Sequence, residues 1–210
     1  IHWEAPDGTT FDITTTRSEH YPSFESLPVV RRGNLRSDLE RRDFSINAMA
    51  LSLSSQSWNM LIDPFGGAEA LKHNKISTLH SLSFRDDPTR IIRAARYAAR
   101  YGLTLCQWTA QNLDLALQQQ AGKKTSLERI GGDLDRLFVE SNSADAFKRL
   151  LDWKVINLWF PSLNNPKLFC SWLNRTERTL RSTWVLFATL LNEQDRAVFK
   201  RLVSRHRGLQ

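Results

Sequence analysis

Asp86-Asp87-Pro88-Thr89-Arg90-Ile91-Ile92-Arg93-Ala94-Ala95-Arg96-Tyr97-Ala98-Ala99-Arg100 is the stretch at which the chain changes character. Ile91, Ile92, Ala94, Ala95, Ala98 and Ala99 recur at helical spacing and form the apolar face of a helix starting near Asp87. Pro88 suits a first helical turn, where a missing N–H costs nothing, and acids sit well at the positive end of the helix dipole. At ~100° per residue, Asp86, Asp87, Arg90, Arg93 and Arg100 are expected on one side of that helix. Beyond it the helical pattern continues, at about 109–119, 127–140, 144–152, 167–179, 183–191 and 194–205. Gly122-Lys123-Lys124 reads as an exposed joint within this part.

Before it the pattern is different. In residues 10–17, Phe11, Ile13 and Thr15 alternate with Asp12, Thr14 and Thr16, which predicts one strand with a polar face. Residues 21–36, with Pro22, Pro28 and Gly33, read as an irregular loop. A short helix is expected at 38–42, then strands at 48–53 and 58–62 around the polar turn 54–57. Asp63-Pro64-Phe65-Gly66-Gly67 breaks the chain before a short helix at 68–72. The fold class is therefore α+β, a small strand-containing part followed by an all-α part, without an internal repeat.

The 210 residues are 41% hydrophobic and 24% charged, a globular balance with length enough for one large domain or two small ones. The longest apolar run, residues 184–191, is far short of the ~18 residues of a membrane span. Cys106 and Cys170 read as reduced core thiols of a cytosolic protein, and His2, His20, His73, His80 and His206 form no ligand pattern. A net charge of +7 makes a polyanion, nucleic acid first, the default partner, although a solvated basic surface explains the composition as well. Arg31, Arg32, Arg36, Arg41 and Arg42 form one cluster, and Arg85, Arg90, Arg93, Arg96 and Arg100 another. Arginine rather than lysine suits fork-like phosphate recognition.

Three stretches carry chemistry. In Arg41-Arg42-Asp43-Phe44-Ser45-Ile46-Asn47-Ala48, guanidinium forks can take triphosphate oxygens while Asp43 or Asn47 bonds sugar hydroxyls, with Phe44 and Ile46 packing into the core. Taken alone, a capped helix with a local Arg–Asp pair is the plainer account. Asp63 to Gly67 is a tight turn whose glycines allow positive φ or close backbone approach, and by itself it is an ordinary strand-to-helix connection. In the stretch from Asp86 to Arg100, an Asp can accept from the exocyclic amino group of C or A and an Arg can donate to ring acceptors, so together they could read a base edge. Spacing alone favours a salt-bridged solvent face.

In series, the stretches 12–17, 38–48, 61–67 and 84–94 closely resemble the bacterial class II CCA-adding tRNA nucleotidyltransferases and their sister bacterial poly(A) polymerases. The likeness runs from about residue 5 to 140 and more loosely to the end. It implies a partial polymerase-β-like nucleotidyltransferase head at 1–83 and a helical neck and body at 84–210 that binds RNA and nucleotide. It further implies template-independent addition of nucleotides (CCA) to tRNA, or another RNA 3′ end, from CTP and ATP, with two-metal Mg²⁺ chemistry; the alternatives are a poly(A) polymerase, an enzyme adding only C or only A, or a non-catalytic RNA-binding remnant. Asp12 matches the third carboxylate of the catalytic head and is the one metal candidate here. Arg41, Arg42, Asp43 and Asn47 match the ribose and triphosphate motif. Asp63, Gly66 and Gly67 match the flexible head–neck motif. Asp87 and Arg90 match the amino-acid template that pairs with C or A, with Arg93 and Arg96 following as further nucleotide-binding candidates, and Ser126, Glu128 and Arg129 match a neck-helix motif.

The template motif usually starts with Glu, and here Asp86 stands in its place. The family's glycine-serine turn and two metal-binding aspartates precede the third carboxylate and are not among these 210 residues, so an N-terminal part of the head is expected to be missing. The 210 residues alone are then expected to bind nucleotide weakly without catalysing, since Asp12 cannot hold two ions against their hydration. Gly131-Gly132-Asp133-Leu134-Asp135 mimics the missing motif, but Leu127, Ile130, Leu134, Leu137 and Phe138 place it on a helix begun by a capping box at 125–128. There Asp133 and Asp135 diverge by ~200°. Trp153, Trp159, Trp172 and Trp184 read as core, and the basic tail at 200–207 as solvated or RNA-facing.

Overall fold

A computed structural model describes residues 1–203. Two antiparallel hairpins open the chain. β1 (His2–Glu4) pairs with β2 (Thr10–Asp12), and β3 (Arg17–His20) pairs with β4 (Val29–Arg32), Arg17 lying opposite Arg32 and His20 opposite Val29. The single strand expected at 10–17 is thus two short ones. Beyond β2, Ile13 and Ile1 still exchange backbone hydrogen bonds at 2.8 and 2.7 Å, and the chain then crosses to the second hairpin. The loop expected at 21–36 contains β4. Its β-branched Val29-Val30 pair is a strand signal, and Pro22 and Pro28 lie outside the paired residues.

α1 (Leu35–Glu40) starts earlier than the expected 38–42, because Asn34 Oδ1 caps it by accepting from Ser37 N at 2.9 Å. A 3₁₀ turn, Ser45–Asn47, precedes the two-residue strands β5 (Ala50–Leu51) and β6 (Leu61–Ile62), shorter than expected but antiparallel. α2 (Gly67–Lys72) leads to β7 (Lys75–Ile76), then α3 (Ser83–Asp86) and α4 (Thr89–Tyr101), after which β8 (Thr104–Leu105) returns parallel to β7.

The rest is helical: α5 (Gln107–Gln118), α6 (Leu127–Phe138), α7 (Ser143–Asp152), α8 (Ile156–Trp159), α9 (Pro166–Leu173), α10 (Leu180–Thr189) and α11 (Glu193–Val203). α9 stops well short of 179 because Arg178 turns back on its end. Arg178 Nε donates to the Leu173 carbonyl at 2.8 Å, and its other nitrogens donate to the carbonyls of Phe138 and Glu140. α10 starts three residues earlier than 183, capped by a reciprocal Thr179–Ser182 box. The expected end of the last helix, Arg205, and the tail beyond Val203 lie outside the described residues.

α4 is the axis of the helical part. Its apolar face, from Ile91 and Ile92 through Ala98, is fully buried against α6 and α7. One core runs from Phe44 and Phe84 through α4 to an aromatic cluster around Phe138. There Trp184 meets Phe138 edge-on at 4.9 Å, and Phe147 meets Phe169 at 4.8 Å. Trp159 and Trp184 are buried, and Trp153 and Trp172 are half-buried. The joint expected at 122–124 is exposed only at its lysines, since Trp159 Nε1 donates to the carbonyl of a buried Gly122.

Candidate active site

A cleft of about 500 Å³ opens where β3, the segment after α1, and α4 converge. Arg17, Glu19, Tyr21, Arg41, Arg42, Asp43, Asn47, Asp87, Arg90, Arg93 and Tyr97 line it. The sequence explains how the arginines come to face it. Asp38 is buried in α1 and accepts from the backbone N of Arg17 at 2.9 Å and from Arg41 Nη2 at 3.1 Å, which ties β3 to α1. Glu19 takes Arg17 at 2.8 Å and Arg41 at 3.3 Å. Asp43 Oδ1 then accepts from Phe44 N and from Asn47 Nδ2, both at 2.9 Å, and Arg42 Nη1 donates to the Asn47 carbonyl at 3.0 Å. Phe44 and Ile46 are buried, so this turn is anchored from inside.

The Asp63–Gly67 turn supports it from behind. Asp63 caps α2 by accepting from Gly67 N at 2.7 Å and Ala68 N at 2.9 Å, and Gly66 adopts φ 69°. Gly67 lies so close to the Ser45–Asn47 turn that a Cβ there would meet Ser45 O at 2.2 Å. Asp63, Gly66 and Gly67 therefore do not line the cleft but hold the segment that does.

Arg93 is the hub. Its Nε donates to Asp43 Oδ2 at 3.1 Å, its Nη2 to Asp87 Oδ2 at 3.0 Å, and its Nη1 reaches Asp133 Oδ2 on α6 at 3.5 Å. Asp87 also accepts from Thr89 Oγ1 at 2.6 Å and pairs with Arg129 at 2.9 Å. Burial pushes the Asp87 carboxyl up. Arg93, the Thr89 hydrogen bond and Arg129 outweigh it and hold the group below the usual carboxylate value. Arg90 is 3% exposed and donates to Ser83 Oγ at 2.7 Å and to the Arg41 carbonyl at 2.9 Å.

Asp86 and Asp87 do not share a side of α4 with the arginines. Asp86 ends α3, and Asp87 is extended, at φ −138° and ψ 91°, because the residue before a proline is driven out of the helical region. Arg100 points away from the cleft, to Glu140, and Arg96 also pairs with Glu140 at 2.6 Å. Ser126 caps α6 by accepting from Arg129 N, Glu128 lies in its first turn, and Arg129 pairs with Asp87 of the cleft. The Gly131–Asp135 stretch is helical as expected, with Asp133 facing Arg93 and Asp135 accepting from Trp184 Nε1 at 2.7 Å. Glu19, Tyr21, Tyr97 and Asp133 belong to the site although sequence reasoning assigned them no part in it. The first two were hidden beside a stretch taken for a loop.

Asp12 is not among the cleft residues. It lies exposed on β2, with His2 Nδ1 at 2.9 Å. Among the described residues no group of three or more His, Cys, Asp or Glu side chains is arranged to hold a metal ion. One exposed carboxylate beside an imidazole does not make the donor set of a two-ion site.

Residues 1–77 match the poly A polymerase head domain family. An A-adding tRNA nucleotidyltransferase from Halalkalibacterium halodurans is 40% identical over 156 residues, 73% of this chain and 36% of the relative. A solved apo form of a CCA-adding enzyme superposes with a TM-score of 0.84 at 29% identity, covering 99% of this chain and 52% of that one. Over these stretches the chain resembles the CCA-adding tRNA nucleotidyltransferases and poly(A) polymerases. It is a mixed fold resembling the head and helical neck of these nucleotidyltransferases, which generally use a divalent metal. Other nucleotidyltransferase relatives are named CC-adding and CCA-adding. A CTP complex of a CCA-adding enzyme matches at TM-score 0.70 and 30% identity over 83% of this chain and 45% of that one. Further structures hold ATP or tRNA. The chain spans about a third to a half of the length of these relatives.

Proposed function

We propose that this chain forms the nucleotide-selecting part of an enzyme that adds nucleotides to tRNA 3′ ends from CTP and ATP, completing CCA without a nucleic-acid template. The observation that carries this reading is the meeting of Arg41, Arg42, Asp43 and Asn47 with Asp87, Arg90 and Arg93 around one cleft of nucleotide size. We divide the chain into head at 1–83 and neck and body at 84–210, and assign it to the cytoplasm on reading Cys106 and Cys170 as reduced thiols. In the reaction, the RNA 3′-oxygen bonds to the α-phosphorus, loses its proton, and pyrophosphate leaves. Arg41 and Arg42 hold the triphosphate, Asp43 and Asn47 orient the ribose, and Asp87 with Arg90 read the base edge. Asp87 reads a base only by giving up a present partner, since Arg93, Arg129 and Thr89 occupy its oxygens. Magnesium is the proposed ion, but Asp12 alone does not fit a two-ion site and no step is assigned through it.

A second reading, addition of A alone, is favoured by the 40% identity to A-adding relatives against 34% to a CC-adding one. One assay tests both readings: labelled CTP and ATP offered to the full-length gene product with tRNAs ending before CCA or before A. Arg90→Ala is expected to scramble base choice, and Arg41→Ala to raise KM for every nucleotide by about tenfold, the scale of a charge-assisted hydrogen bond. Equal loss for all nucleotides in Arg90→Ala would overturn the base-reading role. The 210 residues alone are expected to incorporate nothing.

A further inference from the structure

Arg90 has a neighbour outside the arginine and aspartate motifs. His80, between β7 and α3, borders a second cavity of about 590 Å³ that shares Glu19, Tyr21, Arg41 and Arg90 with the cleft. Its Nε2 lies 3.5 Å from Arg90 Nη1, at the outer edge of hydrogen bonding, and its Nδ1 lies 3.9 Å from Asp86 Oδ2. Guanidinium has donors and no acceptor, so the ring nitrogen facing it must carry a lone pair. That assigns the neutral imidazole with its proton on Nδ1, towards Asp86.

We propose that His80 is a positioning residue for base selection: as a neutral ring it helps fix the Arg90 guanidinium, and on protonation it repels and releases it. The inference rests on the reading of Arg90 as a base-reading residue. Its chemical basis is a conflict of charges around one ring. Arg90 on α4 opposes an imidazolium, while Asp86 on α3 and Glu40 on α1 favour it. Glu19, His20, Tyr21 and Arg41 line the same cavity. Burial, with Arg90, prevails and holds His80 below the usual imidazole value. Burial meanwhile raises Asp86, so the carboxylate that favours imidazolium is itself weakened as the solution turns acid. The ring is 39% exposed, so protons reach it without unfolding.

The test compares kcat/KM for the preferred and a non-preferred nucleotide in the full-length enzyme between about pH 5.5 and 8.5, the range over which imidazole titrates. The ratio of two nucleotides cancels titration of their shared triphosphate. Wild type should lose about tenfold in discrimination on the acid side, the scale of one lost hydrogen bond to a charged group. His80→Gln, which keeps an acceptor but does not titrate, should discriminate like neutral wild type at every pH, and His80→Ala poorly at every pH. If His80→Gln keeps the acid-side fall, or His80→Ala discriminates like wild type, while Arg90→Ala still scrambles base choice, the role of His80 is overturned and that of Arg90 stands. If Arg90→Ala leaves base choice intact, the base-reading assignment fails and this inference with it. An NMR titration reads the contact without activity: the His80 pKa should rise in Arg90→Ala, and an unchanged value would overturn the contact itself.

Discussion

Arg93 binds three carboxylates with one planar fork: Asp43, Asp87 and Asp133. All three are largely buried, so truncating the arginine strands negative charge that water cannot reach well. Arg93→Ala is expected to destabilise by about 3–5 kcal/mol, the cost of breaking a buried ion pair, read as a lower urea midpoint. Arg93→Lys should recover little of it, because a point charge on a flexible stem does not reproduce three directed bonds. A midpoint like wild type in either variant would show that the carboxylates find other partners. In the sequence this arginine was one of five in a cluster. Its distinction comes from Asp133, forty positions away on another helix, which no local pattern announces.

The turn from Asp63 to Gly67 and the turn from Asp43 to Asn47 work as a pair. The first presents a glycine, and the second packs its Ser45 carbonyl against it. Gly67→Ala must push that carbonyl away, at a cost of about 1–3 kcal/mol for overpacking. Because Ser45 lies between Asp43 and Asn47, the same change should raise nucleotide KM without altering base choice. Calorimetric melting and nucleotide titration check both, and an unchanged KM would mean that the turn yields without moving its neighbours. The motifs were legible as an ordered series, and the longer helices after Thr89 were legible from periodicity because one face of each is apolar, whereas the four-residue α8 is too short to show a period. Nor was the hairpin of β3 and β4 legible. Its strands have four residues each, carry three arginines among them, and leave Val29 and Val30 exposed, so no alternation of buried and exposed positions marks them. The break between α3 and α4 was also missed, although the Asp87-Pro88 pair carries its cause.

Over the whole molecule, three groups make stability depend on pH in the same direction. Asp38 and Asp87 are held below the usual carboxylate value of 3.8, and His80 is held below the usual imidazole value of 6.5. In each case the unfolded chain binds a proton more readily than the folded one, so acid favours unfolding. His80 acts first, as pH falls below about 6.5, and the two aspartates act below about 4. Asp86, raised by burial, works against them. Urea midpoints measured along a pH series should therefore fall in two stages on acidification. A midpoint that rises between pH 7 and 5 would contradict this account.

The arginine hub also has a kinetic consequence. Asp87 is six positions away, but Asp43 stands fifty positions before it and Asp133 forty after it, so the three carboxylates meet only when the strand-containing part and α6 have both docked on α4. Contacts closed over such distances in sequence are costly in loop entropy and belong to the last stages of folding. Interactions absent from the transition state set the unfolding rate and leave the folding rate nearly untouched. The cleft is thus expected to assemble late and open early, with Arg93 as a latch on the lifetime of the native state: Arg93→Ala should speed unfolding more than it slows refolding.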